Sequence, residues 1–193
     1  MARQGLTRAD IIQAAIELIE SEGLHSFSLR ELASRLHIKA ASLYNHITSS
    51  DELHTEIGYY AISELKKAQL AAIAGKERSE AIESLADAYY RFGKDRQEIY
   101  KVILSLPMVK NDAIHSAGFD IVEPIMTAMA GYRLNREQMM HLQRVFRSIM
   151  HGFISQEEVG CFRQFPVDVG NSYRMAVRGF ILLLENSEKE VQT

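Results

Sequence analysis

The 193-residue chain has no tryptophan, one cysteine, three prolines and no surplus of positive charge. Each shortage removes a class of explanation. With Cys161 alone an intramolecular disulfide is impossible, which suits a reducing compartment. No apolar run approaches the ~20 residues of a membrane-spanning helix, and MARQGLTRAD lacks the apolar core of a secretion signal. A cytoplasmic protein with no membrane partner is therefore expected. A formal charge of -3 argues against a general polyanion binder. Residues 1–54 alone set five basic side chains (Arg3, Arg8, Arg30, Arg35, Lys39) against seven acidic ones. Any hold on nucleic acid must then be local, with Arg3, Arg8, Arg30 and Lys39 as its basic rim. Signatures of catalysis are also missing: HExxH, a phosphate-cradling glycine loop and a nucleophile elbow do not occur. Glu22-Gly-Leu-His25 and Asp112-Ala-Ile-His115 lack the second copy that a metal site in a helical bundle needs. The expectation is no enzyme, no metal and no cofactor.

What is present is helical patterning from end to end. From Thr7, a plausible N-cap, Ile12, Ala15, Ile16 and Ile19 recur at helical spacing up to Gly23. Ser28 with Glu31 reads as a capping box for a segment whose Leu29, Leu32, Ala33 and Leu36 share a face. A third short segment turns Ala40, Leu43 and Ile47 inward and leaves Lys39, Ser42, Asn45 and His46 along an outward arc. Helices this short are marginal alone, so the first must cover the other two. The sum is a three-helix module ending in a helix-turn-helix, a motif whose second helix fits the DNA major groove.

The order IIQAAIELIESEGLHSFSLRELASRLHIKAASLYNHITSSDEL resembles the N-terminal DNA-binding domain of the TetR family of transcriptional regulators. The residues carrying the likeness are Ile-Ile-x-Ala-Ala at 11–15, Glu-Ser-Glu-Gly at 20–23, the hydroxyl at Ser28, Leu32-Ala33, Leu-Tyr-x-His at 43–46 and Ser-x-Asp-Glu-Leu at 49–53. The resemblance implies that Ser28 and Tyr44 offer hydroxyls to phosphates, that Arg30 meets a base edge or a phosphate, and that His46 lies at the DNA backbone. With Lys39, Ala40, Ala41, Ser42 and Asn45 at the start and outer face of the reading helix, these are the expected DNA-binding residues. Three positions depart from the family pattern: His37 for a turn glycine, Ile47 for an aromatic, and Ser50 for a lysine. The missing lysine implies one phosphate contact fewer and a shallower salt dependence.

The remainder reads as more helices. Ser49 with Glu52 opens a long one, with Leu53, Ile57, Ala61, Leu65, Ala68 and Ala72 on one face and Gly58 tolerated inside. A segment from Ser79 bears Ile82, Leu85, Ala86 and Tyr89 and stops near Gly93. Asp95 with Glu98 caps the next, which runs to Pro107, and Asn111 opens another containing Pro124. Asn135 with Gln138 caps a helix to about Glu158, and a last one follows the loop GCFRQFP. The expectation is an all-α chain of about nine helices: a helix-turn-helix domain at 1–48, a connecting helix at 49–75, a ligand-sensing and dimerisation domain at 76–188, and a polar tail at 189–193. From Tyr89-Tyr-Arg-Phe to His151-Gly-Phe the chain is similar to family C-terminal domains of the Trp-His-Gly type, with Met150 at the tryptophan position.

Because reading DNA needs only some 55 residues, the second domain requires its own role. The resemblance implies homodimerisation and response to a small molecule. Tyr89, Phe92, Tyr100, Met108, Phe119, Met126, Met150 and His151 are the candidate pocket, since methionine and aromatic side chains adapt to a partly apolar effector. Leu142, Phe146, Ile149, Phe153, Tyr173, Val177, Phe180, Ile181 and Leu184 are the candidate dimer interface, as half of a four-helix bundle. The expected function is a repressor, released by its effector from a palindromic double-stranded operator. The alternative is a helical adaptor that has lost DNA binding.

Overall fold

The computed structural model describes residues 6–106 and 112–190, with the side chains of the second span described from 119 onward. Among the described residues there are nine α-helices and no strand: α1 (Arg8–Glu22), α2 (Leu29–Arg35), α3 (Ala40–Leu43), α4 (Ser50–Ile73), α5 (Arg78–Asp95), α6 (Gln97–Ser105), α7 (Asp112–Met129), α8 (Arg136–Glu158) and α9 (Val169–Glu190). A 3-10 turn, Leu24–Ser26, links α1 to α2. The chain divides into two compact units, Met1–Glu64 with Arg96–Ile114, and Leu65–Asp95 with His115–Thr193. The first unit is discontinuous in sequence, because α6 packs on α1 and the 3-10 turn.

In the first unit, α1 starts at a reciprocal capping box between Thr7 and Asp10 and stops at Gly23, whose φ of 89° suits glycine. Its buried face is Ile11, Ala15, Leu18 and Ile19 with Ile16, so Ile12, expected inside, stands half-buried at the stripe's edge. Ser28 caps α2 through its Oγ, which accepts the Glu31 N–H at 3.1 Å. Leu32 and Ala33 of α2, with Leu43 and Ile47 at and beyond the end of α3, close the small core. Ala40, expected inward, is exposed. Ser49 caps α4, but Glu52 bonds Thr48 instead of Ser49, moving the expected box by one residue.

Helix α6 is fastened to this unit at several points. Glu98 Oε2 accepts the Leu24 N–H at 2.7 Å, so it does not close the box expected with Asp95. Arg96 holds Glu20 and Glu64, and its guanidinium lies over the Tyr60 ring. Leu106 fills the space where a Cβ on Gly58 would stand, which explains a glycine inside α4.

In the second unit α5 runs straight through Gly93 to Asp95, so this glycine is no stop. A Cβ there would come within 2.6 Å of Ile154 Cδ1; the residue is small because α8 crosses at that point. Helix α7 continues through Pro124, and α8 begins at the expected Asn135–Gln138 capping box. Phe146 and Phe180 stack at 4.4 Å between α8 and α9, and the Tyr173 hydroxyl donates to the Ala86 carbonyl of α5 at 2.8 Å. Helix α9 extends to Glu190, past the expected start of a tail. Glu188 there pairs with Arg78 and accepts the Arg133 N–H.

Candidate nucleic-acid interface

The reading helix is fixed from below. Leu43 and Ile47 are buried, which turns the opposite side of the segment, with Tyr44 and Asn45, toward solvent. Tyr44 is 55% exposed. Ser28, Arg30, Lys39, Ala40, Ala41 and Asn45 are also exposed, while Ser42 and His46 are half-buried. All nine expected residues therefore lie on α2, α3 or their flanks, seven of them at the surface. The turn that sets this angle passes through His37 at φ 55°, the left-handed conformation that glycine adopts without strain.

Charge is sorted over this unit more sharply than its formal total suggests. Arg8 is engaged by Glu52 and Glu56 at 2.6 and 3.0 Å, and Arg35 by Glu17 at 3.6 Å. Arg8 therefore falls out of the expected basic rim, and Arg3 lies outside the described residues. Arg30 and Lys39 have no ion pair among the described residues. Two acids of the same unit are held by their own caps: hydrogen bonds from Thr7 keep Asp10, and those from Thr48 keep Glu52, below the ordinary carboxylate range. Arg30 and Lys39 are thus exposed on the segments that also expose Ser28, Tyr44 and Asn45, and cations with hydroxyl and amide groups suit phosphates and base edges.

The second unit treats the expected residues differently. Tyr89, Phe92 and Met150 are buried, Met126 is half-buried, and Phe119 is 59% exposed, too open to line a closed pocket. Tyr100 belongs to the core of the first unit, and Met108 lies outside the described residues. His151 is half-buried, with burial first and Arg147 second lowering its pKa, and Ser155 Oγ lies 3.3 Å from its Nε2. A cleft of about 100 Å³ opens elsewhere, between Glu83 and Asp87 of α5 and Arg174, Val177 and Arg178 of α9.

Seven of the nine expected dimer residues are interior to one chain: Leu142, Phe146, Tyr173, Val177, Phe180, Ile181 and Leu184 are buried. Ile149 and Phe153 are half-buried. The expected interface is thus the α8–α9 core itself, because two amphipathic neighbours bury their strongest stripes in each other first. Other apolar residues on the same helices are exposed: Val145, Met175, Leu182 and Leu183, the second and third being 71% and 60% exposed. Their signal is the second apolar line 175, 179, 182, 183 beside the main stripe of α9.

Both units have counterparts among known proteins. Residues 11–61 match the family described as bacterial regulatory proteins, tetR family. Residues 82–180 match the tetracyclin repressor-like C-terminal domain. The chain is 26% identical over 164 residues to the HTH-type transcriptional regulator Rv0681 of Mycobacterium tuberculosis, covering 84% of this chain and 75% of that one. It is 27% identical over 186 residues to the HTH-type transcriptional regulator YobS of Bacillus subtilis, covering 95% and 96%. In fold it is similar to a point variant of TetR from Acinetobacter baumannii AYE, solved in complex with minocycline, with a TM-score of 0.70 at 14% identity over 94% and 98% of the two chains.

Proposed function

Since the chain belongs to the tetR family and is a transcriptional regulator with a helix-turn-helix DNA-binding domain, we propose that it is a homodimeric repressor released from a palindromic operator by a small molecule. The observation carrying this reading is the helix-turn-helix surface: α3 is anchored by Leu43 and Ile47, and Arg30 on α2 and Lys39 at the start of α3 are exposed, without ion pairs among the described residues. A module that had abandoned DNA would gain by pairing these cations as it pairs Arg8 and Arg35.

Dimerisation rests on Val145 of α8 with Met175, Leu182 and Leu183 of α9, where Gly179 leaves open space for a helix to approach. Two such faces related by a two-fold axis form a four-helix bundle. The dimer places two reading helices one DNA turn apart, roughly 34–36 Å, in successive major grooves. Release follows when an effector favours another spacing, with a coupling of about 1–3 kcal/mol. The chain connects the two units at three points, after Glu64, after Asp95 and after Ile114, which gives an effector in the second unit three covalent routes to the first. The similar Acinetobacter protein, solved with minocycline, supports a small-molecule effector.

Selection of bound duplexes from a random pool at low salt tests the core of this reading. A palindrome with half-sites one turn apart is expected. An unenriched pool would leave the adaptor role in its place.

A further inference from the structure

The apolar core of the second unit contains a polar group with no partner. Gln69 sits on α4 four residues after Leu65 and four before Ile73, on the buried face, and is 0% exposed. Neither its Oε1 nor its Nε2 has a hydrogen-bond partner among the described residues. Gln143 of α8 is also buried; its Nε2 donates to the Met140 carbonyl at 3.2 Å while its Oε1 is unpartnered. Apart from tyrosines, these are the only buried polar or charged side chains among the described residues. Lys66, one turn before Gln69, is occupied by Asp120 and Glu123 at 2.7 and 2.6 Å.

The two glutamines lie at the same end of the unit. Helices α4 and α5 join through 74–77, α7 and α8 through 130–135, and Arg78 Nη1 donates to the Gly131 carbonyl at 2.8 Å, tying the two connections together. Gln69 is four residues from the end of α4 and Gln143 seven from the start of α8, roughly 6 and 10 Å along their helices. Buried Ile125 and Met129, in the last turns of α7, belong to the same end. A buried amide left without partners costs free energy, so a native core completes such a group with a water, an ion or a ligand.

We propose that Gln69, with Gln143 at the same end of the unit, anchors an uncharged ligand that presents an amide, or an equivalent adjacent donor and acceptor, on an otherwise apolar body. This rests on the effector reading above and specifies its chemistry. A primary amide, or the cis amide of a lactam, satisfies both ends of the Gln69 side chain with two antiparallel hydrogen bonds. A charged ligand is excluded because no buried ionic side chain among the described residues compensates it.

The test uses the full chain and its Gln69→Leu variant, with benzamide and hexanamide as probes and toluene and benzoate as controls. The side-chain NH2 pair of Gln69, assigned by its absence from Gln69→Leu, is followed by proton–nitrogen correlation spectra, and thermal unfolding is measured alongside. Expected are a shift of that pair with at least one amide, a rise in melting temperature with that amide in the wild type only, and no such shift with benzoate or toluene. Free Gln69→Leu should melt above the free wild type by about 2 °C or more, because leucine leaves no amide unpaired. An unmoved Gln69 pair with both amides, an equal thermal response in the variant, or a long-lived internal water on the amide would overturn the proposal. Affinity for the selected duplex separates the two readings. An amide that engages Gln69 without weakening DNA binding keeps the site and removes its effector role, whereas one that weakens DNA binding without touching Gln69 keeps an effector and overturns this site.

Discussion

The short helix α3 and the long pair α8 and α9 solve opposite problems with the same kind of pattern. In α3 the apolar residues are few, so Leu43 and Ile47 suffice to fix which side is out, and the outward side is what the periodicity demands. In α8 and α9 apolar residues are plentiful. There the strongest stripe is consumed within the chain, and a weaker line at Val145, Met175, Leu182 and Leu183 is left for something else. A sparse pattern identifies a surface by subtraction; a rich one names the core and conceals the interface.

This contrast is sharpest if the two apolar lines are broken separately. Phe146→Ala removes a buried ring stacked on Phe180 and is expected to lower stability by about 3–5 kcal/mol in denaturant unfolding. Met175→Glu with Leu182→Glu should leave folding nearly intact yet yield monomers in sedimentation, with DNA affinity falling on the order of 100-fold as bivalency is lost. Dimers surviving that double change would refute the assigned face. Gly93→Ala forces a methyl against Ile154 and should cost about 1–3 kcal/mol, whereas an alanine at a helix-stopping glycine facing solvent would not meet that side chain.

On the α3 side the effects are smaller and concern DNA. Lys39→Ala should weaken all sequences alike and reduce the salt slope by about 1, while Arg30→Ala, at about 1–3 kcal/mol, should relax preference at particular positions. Equal losses on every duplex would demote Arg30 to a phosphate contact. Weakest is an acid effect at the far end of α9. Arg78, first, and the Arg133 N–H hold the Glu188 carboxyl down at about 2, against 4.5 ordinarily. Its stabilising contribution is complete above about pH 4.5 and is lost as pH falls toward 2. Glu188→Gln should flatten that part of the stability profile.

How legible the chain was varies with the range of the interaction. Caps at Thr7, Ser28, Ser49 and Asn135 were readable because their bonds span three residues. Glycines misled for the same reason inverted: Gly93 looks like a stop locally and is a crossing point for a helix far along the chain. His37 departs from the family's turn glycine without changing the turn, since its backbone takes the left-handed conformation anyway. Gln69 lies beside the apolar line expected through Leu65, Ala68 and Ala72, and only the burial it shares with Leu65 and Ile73 makes it notable.

Sequence alone determined the helical class, the element order and, through Leu43, Tyr44, Asn45 and Ile47, most of the outward side of α3, because spacing, caps and short-range sterics act within a few residues. Tertiary structure decided that α6 joins the DNA-reading unit, that Arg8 is spent on Glu52 and Glu56, and which apolar line of α9 stays exposed. Those outcomes depend on competition among distant surfaces for a limited amount of contact. No local pattern encodes the winner.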